Sequence, residues 1–155
     1  RGLDESLRGR IPVYLFVTCG FGVLDLQTKK LEFCTAAAPD VYHFDAMGDR
    51  VRSLGLSGYP LGLPMVLNRP GMFEKATVDL KSGDLMVFTS DGVEEAQNDK
   101  EELYGESRLR NMILNCGKQN LSAETVRDRI FNDVLQYIRD APQTDDITVV
   151  VLKMH

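Results

Sequence analysis

The chain has 155 residues and a mass of 17.4 kDa, a length that suits one domain. Hydrophobic residues make up 43% of it and charged residues 26%, which argues against a disordered, collagen-like or coiled-coil protein. The net charge of −5 argues against nucleic-acid binding but is compatible with bound cations. No run approaches the roughly 18–20 consecutive apolar residues of a membrane helix, and the first residues form no apolar signal segment, so we expect neither feature.

The first ninety residues are dominated by apolar runs with β character. Residues 13–19 form a continuous apolar run, which is typical of a strand buried on both faces. Seven strand segments are predicted. Residues 13–19 and 23–26 lead into a hairpin with 31–35, residues 41–44 and 50–54 form a second hairpin, and residues 73–80 and 85–89 are two further strands. The Gly- and Pro-rich residues 55–64 are predicted to form a loop.

Helical periodicity appears only in the last third of the chain. A stripe from Leu109 to Cys116 predicts one helix, with Gly117 as its left-handed C-terminal residue. Ser122 is a good N-cap for a second helix, and residues 147–152 resemble a buried strand. Strands, two helices and a final strand predict an α+β fold with antiparallel sheet.

The three cysteines, Cys19, Cys34 and Cys116, are odd in number and widely spaced, without a C-x-x-C pair. This spacing argues against a disulfide framework or a zinc site. We therefore expect buried, reduced thiols and a cytoplasmic protein.

Two acidic spots flank predicted buried strands. Asp91 follows the strand at 85–89, and Asp145 and Asp146 precede the strand at 147–152. If those strands are antiparallel neighbours, Asp91 and Asp145 converge at one rim, where carboxylates suit Mg²⁺ or Mn²⁺.

Each acidic spot also has a plainer interpretation. Ser-Asp-Gly after a strand is a common turn, and an Asp pair before a strand is often a solvated loop. Glu94 and Glu95 either add charge to the rim or are exposed loop residues. His43 is interpreted as a surface or hydrogen-bonded histidine, and with two histidines in the chain a Ser-His-Asp triad has little support.

The order of short motifs is more specific than any one of them. The series consists of residues 16–18, 23–25, 35–39, 58–62, 82–84, 89–96, 104–106 and 145–148. It resembles the bacterial stage-II-sporulation-E and sigma-B-regulator type serine phosphatases, a branch of the PP2C-like metal-dependent phosphatases. The most specific parts are Thr-Ser-Asp-Gly-Val-x-Glu-Ala at 89–96 and the Asp-Asp-x-Thr-Val-Val-Val ending from Asp145.

The resemblance implies an α/β/β/α sandwich of two antiparallel sheets that hydrolyses phosphoserine or phosphothreonine on a protein, such as an anti-sigma-factor antagonist. The metal aspartates would be Asp91 and Asp145, binding two Mn²⁺ or Mg²⁺ ions that activate a water. Asp146 and Thr148 would complete the second motif. Gly92 would let the backbone turn closely at the metal rim.

Two departures from the family pattern affect these expectations. Further metal aspartates of the family, in Gly-Asp and Asp-x-x-Gly-His-Gly segments, have no counterpart before Val13, and Asp45 to Gly48 is interpreted as a hairpin turn. The chain is therefore predicted to be a single domain, the C-terminal two-thirds of a phosphatase domain, with residues 1–12 as a flanking segment. On its own it is expected to be inactive and to expose an apolar surface, which a second copy could cover.

The second departure lies at residues 35–38, where the family's Asn-Ala-Gly-His is Thr-Ala-Ala-Ala, so only the Thr35 hydroxyl is left for substrate positioning. This favours an alternative, a non-catalytic pseudophosphatase that binds a regulator. The sequence directly upstream, which could also encode a sensor domain, would discriminate the two: a Gly-Asp segment there supports the enzyme. An unrelated α+β domain with chance motifs is the third alternative.

Overall fold

The computed structural model describes residues 2–7, 9–63 and 72–155. It divides into two compact units, residues 1–38 with 56–79, and residues 39–55 with 80–155. In chain order the elements are α1 (Gly2–Leu7), β1 (Cys19–Asp25), β2 (Lys30–Ala36), β3 (Val41–Asp45), β4 (Arg50–Leu54), β5 (Lys75–Asp79), β6 (Leu85–Thr89), α2 (Asp91–Glu94), α3 (Glu106–Lys118), α4 (Ala123–Ile138) and β7 (Val149–Lys153). Each unit contains one antiparallel sheet, so the predicted α+β class with two antiparallel sheets is confirmed.

The first unit contains a three-stranded sheet in the order β1-β2-β5. Strands β1 and β2 form the predicted hairpin, with Cys19 opposite Ala36 and Asp25 opposite Lys30. Alternate residues of β2 are buried, Leu31 and Phe33 among them, which is the pattern of a strand with one face against a core.

The predicted strand at 13–19 is wrong. Strand β1 begins only at Cys19, and Val13 and Tyr14 are 75% and 78% exposed. Within the described residues, the only bridge of the 13–18 segment joins Val17 to Leu61. An apolar run becomes a buried strand only when neighbours pair with it and cover it, and this segment has one bridge in place of a ladder.

The second unit contains a four-stranded sheet in the order β4-β3-β6-β7. The predicted hairpin of β3 and β4 is confirmed, with Val41 opposite Leu54 and a turn at 46–49. Helices α3 and α4 form one core with this sheet. Its fully buried side chains include Phe44, Val87, Leu109, Ile113, Val126, Ile130 and Val134.

The ends of α3 and α4 confirm one prediction and correct another. The Ser122 hydroxyl accepts a hydrogen bond from the Thr125 amide at 3.1 Å, so Ser122 is the N-cap of α4 as predicted. Gly117 lies inside α3 and has no positive φ; the left-handed residue is Asn120, with φ 50°. Gly117 is instead required by close packing, because a Cβ there would lie 2.5 Å from the Phe44 ring.

Strand β7 is less buried than predicted. It starts at Val149, and Val150 is 54% exposed, whereas Val149 and Val151 pack against the core. The strand therefore alternates between a core face and a solvent face, although its sequence is uniformly apolar.

All three cysteines are free thiols. Cys116 is buried, as expected, and burial raises the pKa of its thiol; Cys19 and Cys34 are only partly buried. The described helices include none with the length and apolar character needed to cross a membrane.

Candidate functional site

The two predicted metal aspartates lie at the same end of one strand pair. Strands β6 and β7 are antiparallel neighbours, with Thr89 opposite Val149. The chain leaves β6 two residues before Asp91 and enters β7 four residues after Asp145. The strand pairing on which the expected convergence depends is therefore present, and the metal role of the two aspartates stays a prediction.

Ser90 bonds the segment that follows β6 to the segment that precedes β7. Its amide donates to the Thr148 carbonyl at 3.1 Å. Its hydroxyl accepts from the Thr148 amide at 2.9 Å and donates to the Asp146 carbonyl at 2.7 Å. Ser90 belongs to the sequence motif, but its partners lie 56 and 58 residues away, so no local pattern indicates this role.

Gly92 is required at this rim for a different reason from the one expected. It has no positive φ, so backbone conformation does not demand glycine. A Cβ at Gly92 would lie 2.5 Å from the Asp146 carbonyl oxygen and 3.3 Å from the Cβ of Asp145. Packing of the opposite segment against the Cα of Gly92, and not a tight backbone turn, therefore requires glycine here.

The two carboxylates are exposed and ordered by their own backbone. One oxygen of Asp91 accepts from the Gly92 amide at 3.0 Å, and one oxygen of Asp145 accepts from the Asp146 amide at 2.7 Å. Both are charge-assisted hydrogen bonds that orient the side chain. Asp146 and Thr148 contact this site through backbone atoms, and both residues are exposed.

This donor set fits one hydrated Mg²⁺ or Mn²⁺ ion, since such ions are often held by one or two carboxylates and complete their octahedron with water. It does not fit a pair of ions. The described residues contain no group of three His, Cys, Asp or Glu side chains placed to hold a metal. Residues 1, 8 and 64–71, which lie outside the description, include none of these residue types.

Glu94 has a structural partner. Its carboxylate accepts the Tyr42 hydroxyl at 2.6 Å, and both burial and this contact raise the pKa of Tyr42. Glu95 is exposed. Glu94 therefore does not offer the rim a free third carboxylate, because one of its oxygens is bonded to Tyr42.

Thr35 lies in the first unit, on β2. It is buried, and its hydroxyl donates to the Leu56 carbonyl at 3.1 Å. Ala37, two residues on, has φ 52°, a left-handed conformation that is costly for alanine. The substrate-positioning role of Thr35 stays a prediction.

Two polar clusters of the second unit were not found from the sequence. Asp84 is almost fully buried and hydrogen-bonds Nε2 of His43 at 3.0 Å, which places His43 among the hydrogen-bonded histidines. Asp133 binds Arg108 through two hydrogen bonds of 2.9 Å and accepts the Tyr104 hydroxyl at 2.8 Å. Their partners are 25 to 41 residues apart, so no local pattern signals them.

Comparison with known proteins decides the family. A family model described as stage II sporulation protein E (SpoIIE) matches residues 1–155. The chain belongs to the SpoIIE family. Protein IcfG of Synechocystis sp. (strain ATCC 27184 / PCC 6803 / Kazusa) is 27% identical over 139 residues, which are 89% of this chain and 20% of IcfG. The chain thus spans about a fifth of the length of this curated relative.

Solved structures agree on the fold. The SpoIIE-family chain superposes on the SiaA-PP2C domain of Pseudomonas aeruginosa with a TM-score of 0.78 and 21% identity, covering 98% of this chain and 58% of that one. For the manganese-presoaked phosphatase domain of SpoIIE from Bacillus subtilis, the TM-score is 0.69 and the identity 24%, covering 96% and 61%. The predicted family and the PP2C-like fold are both confirmed.

Proposed function

We propose that this SpoIIE-family chain belongs to a metal-dependent protein serine/threonine phosphatase in which Asp91 and Asp145 bind Mn²⁺ or Mg²⁺. The observation that carries the proposal is the junction of β6 and β7, where strand pairing and the Ser90 hydrogen bonds hold both aspartates at one exposed rim. The SpoIIE phosphatase domain was studied after a manganese soak, which supports the choice of metal.

The rim suits hydrolysis of a phosphate carried by a protein. When bound, divalent ions lower the pKa of water and neutralise phosphoryl oxygens. Asp91 and Asp145 would orient the ions by means of carboxylates whose own direction is set by adjacent amides. Gly92 leaves the rim without a side chain, and exposure of Asp91, Asp145 and Asp146 gives access to a bulky substrate.

The described residues contain no group of three metal-ligating side chains, whereas the proposed mechanism uses two ions. We therefore propose that further ligands come from residues outside this chain and that the chain alone is inactive. The alternative, a binding module without turnover, is favoured by the same shortage of ligands and by Thr35, whose hydroxyl is already bonded to Leu56.

The proposed substrate is a phosphorylated regulatory protein of the anti-sigma-factor-antagonist type, in the cytoplasm. A second copy or an upstream sensor domain is the proposed partner. Edge strand β1 supports a partner because Phe21 and Val23 are exposed along it, and apolar edges favour pairing with further chains. A single monomeric species in sedimentation at high concentration would count against the second copy.

The test is Mn²⁺-dependent phosphate release from a phosphoserine protein, with EDTA controls, by this chain and by a form extended N-terminally. We expect activity in the extended form only. In that form Asp91→Asn and Asp145→Asn should each lower the rate by more than about 100-fold, because loss of a ligand exceeds the effect of losing its supporting partner. Asp79→Asn, an exposed aspartate on β5, is the matched control and should leave the rate unchanged.

Unchanged activity in the Asp91→Asn variant would remove this residue from the site. An extended form that binds Mn²⁺ and phosphoprotein without turnover would instead support the binding module.

A further inference from the structure

We propose that Ser90 is a positioning residue that holds the Asp145 segment against Asp91, so that the two carboxylates are set for a metal before it binds. This inference rests on the proposed function and adds to it a residue that touches neither metal nor substrate. Ser90 lies between the last residue of β6 and the first residue of α2.

The hydroxyl of Ser90 does not perform the usual task of a serine before a helix. A serine in this position normally accepts a hydrogen bond from an amide in the first helical turn. Ser90 makes no such side-chain bond to α2. Its hydroxyl turns to the opposite segment, so helix capping does not explain why a serine is present.

The hydroxyl substitutes for backbone in the strand ladder. Beyond the Thr89–Val149 pair, the Ser90 amide still donates to the Thr148 carbonyl, as an antiparallel ladder requires. The Thr148 amide, however, donates to the Ser90 hydroxyl instead of to a strand carbonyl. The same hydroxyl donates onward to the Asp146 carbonyl, the residue next to Asp145.

The Ser90 hydroxyl accepts and donates through one oxygen atom, and each bond acts on the segment that carries Asp145. Two further side-chain bonds reach that segment's backbone, from Gln143 to the Asp145 carbonyl and from the Asp146 amide to the Asp145 carboxylate, each at 2.7 Å. Both lie within the same loop and do not tie it to β6. Without the Ser90 hydroxyl, the Asp146 carbonyl and the Thr148 amide lose their cross-segment partners.

Positioning matters here because two carboxylates of like charge repel each other until a cation binds. The Ser90 bonds help to hold together the two segments that carry these carboxylates in the metal-free protein. Metal sites depend on such supporting contacts, and loss of one typically lowers metal affinity about 10- to 100-fold. The effect of Ser90 is therefore expected in the metal-free state as well as in the affinity for the ion.

The experiment compares Ser90→Ala and Ser90→Thr with the unmodified chain. The first readout is hydrogen exchange of the Thr148 amide in metal-free protein, followed by NMR. The second is Mn²⁺ affinity, with Mn²⁺ alone as the probe. Ser122→Ala is the matched control, since it removes a hydroxyl that also accepts a backbone amide, at the start of α4 and away from the rim.

We expect Ser90→Ala to speed Thr148 exchange and to weaken Mn²⁺ binding about 10- to 100-fold. Ser90→Thr keeps the hydroxyl and should restore both properties. Ser122→Ala should lower thermal stability by a similar amount but leave Mn²⁺ affinity unchanged. That pattern separates positioning from a general loss of stability.

The inference is overturned if the unmodified chain binds Mn²⁺ through Asp91 and Ser90→Ala binds it equally well. It is also overturned if Ser122→Ala weakens binding as much as Ser90→Ala does. A failure of the proposed function gives a different result, because the unmodified chain and the Asp91→Asn variant then bind Mn²⁺ equally poorly. That result overturns the metal role of Asp91 and, with it, the positioning role of Ser90.

Discussion

Replacing Asp84 is expected to destabilise the second unit far more than its place in a Ser-Gly-Asp turn indicates. Asp84 is 1% exposed. Its carboxylate hydrogen-bonds Nε2 of His43 at 3.0 Å and accepts the amides of Ala46 at 2.9 Å and Lys81 at 3.0 Å. One carboxylate thus ties together strand β3, the turn after it and the turn before β6.

The size of the effect follows from these three bonds. A hydrogen bond to a charged group contributes about 1.5–3 kcal/mol, and a buried donor left without its partner costs about 1–3 kcal/mol. The three bonds share one acceptor group and are not additive, so we take about 3–5 kcal/mol for Asp84→Ala. That is a large part of the roughly 5–15 kcal/mol that stabilises a typical domain.

Urea unfolding followed by circular dichroism measures this loss. Asp79→Asn is the control, because Asp79 is exposed and its Oδ1 lies 3.6 Å from Nζ of Lys30, which is also exposed. Its replacement should change stability by less than about 0.5 kcal/mol. Asp84→Asn keeps the shape and one acceptor oxygen, and serves if Asp84→Ala does not fold; a loss of about 1–3 kcal/mol is expected for it. Unfolding of Asp84→Ala at the same urea concentration as the unmodified chain would refute the reasoning.

Three further predictions concern single contacts. Gly92→Ala should weaken Mn²⁺ binding in a titration, because the added Cβ would lie 2.5 Å from the Asp146 carbonyl oxygen and would push that segment away. Equal affinity would contradict this. Ala37→Gly should raise the melting temperature by relieving a left-handed alanine, a gain of about 0.5–1 kcal/mol, and a lower melting temperature would contradict it. Arg108 lowers the pKa of Asp133, so that carboxylate stabilises the fold above the unfolded pKa of about 3.9 and the benefit is lost as the pH falls; Asp133→Asn should therefore unfold more easily than the unmodified chain at pH 7, with the difference shrinking towards pH 3.

Local patterns were sufficient where the determining interaction is local. Ser122 could be predicted as an N-cap from the local sequence, because the amide that it binds, that of Thr125, lies only three residues away. The hairpin of β3 and β4 and the two long helices followed from short-range periodicity. The candidate aspartates, Asp91 and Asp145, were found from motif order. Their segments were expected to meet if the two strands were antiparallel neighbours, and β6 and β7 are such a pair.

Predictions failed where burial depends on distant neighbours. Residues 13–18 and Val150 have the composition of a buried strand, yet Val150 faces solvent and Val13 is largely exposed. Gly117 and Gly92 were assigned to backbone conformation, whereas packing against Phe44 and Asp146 requires them. An apolar or small side chain is compatible with burial or close packing. Whether it is buried or closely packed depends on the residues that fold against it.

The sequence by itself determined the SpoIIE-family membership and the α+β class, and it named Asp91 and Asp145 as candidate metal ligands, because these follow from residue order and local periodicity. Only the tertiary structure decided that the hydroxyl of Ser90 binds Asp146 and Thr148, that Asp84 is a buried anchor and that Glu94 is bonded to Tyr42. Each of those contacts joins residues more than forty positions apart. Chain folding brings such residues together through sheet pairing, and no spacing in the sequence records it.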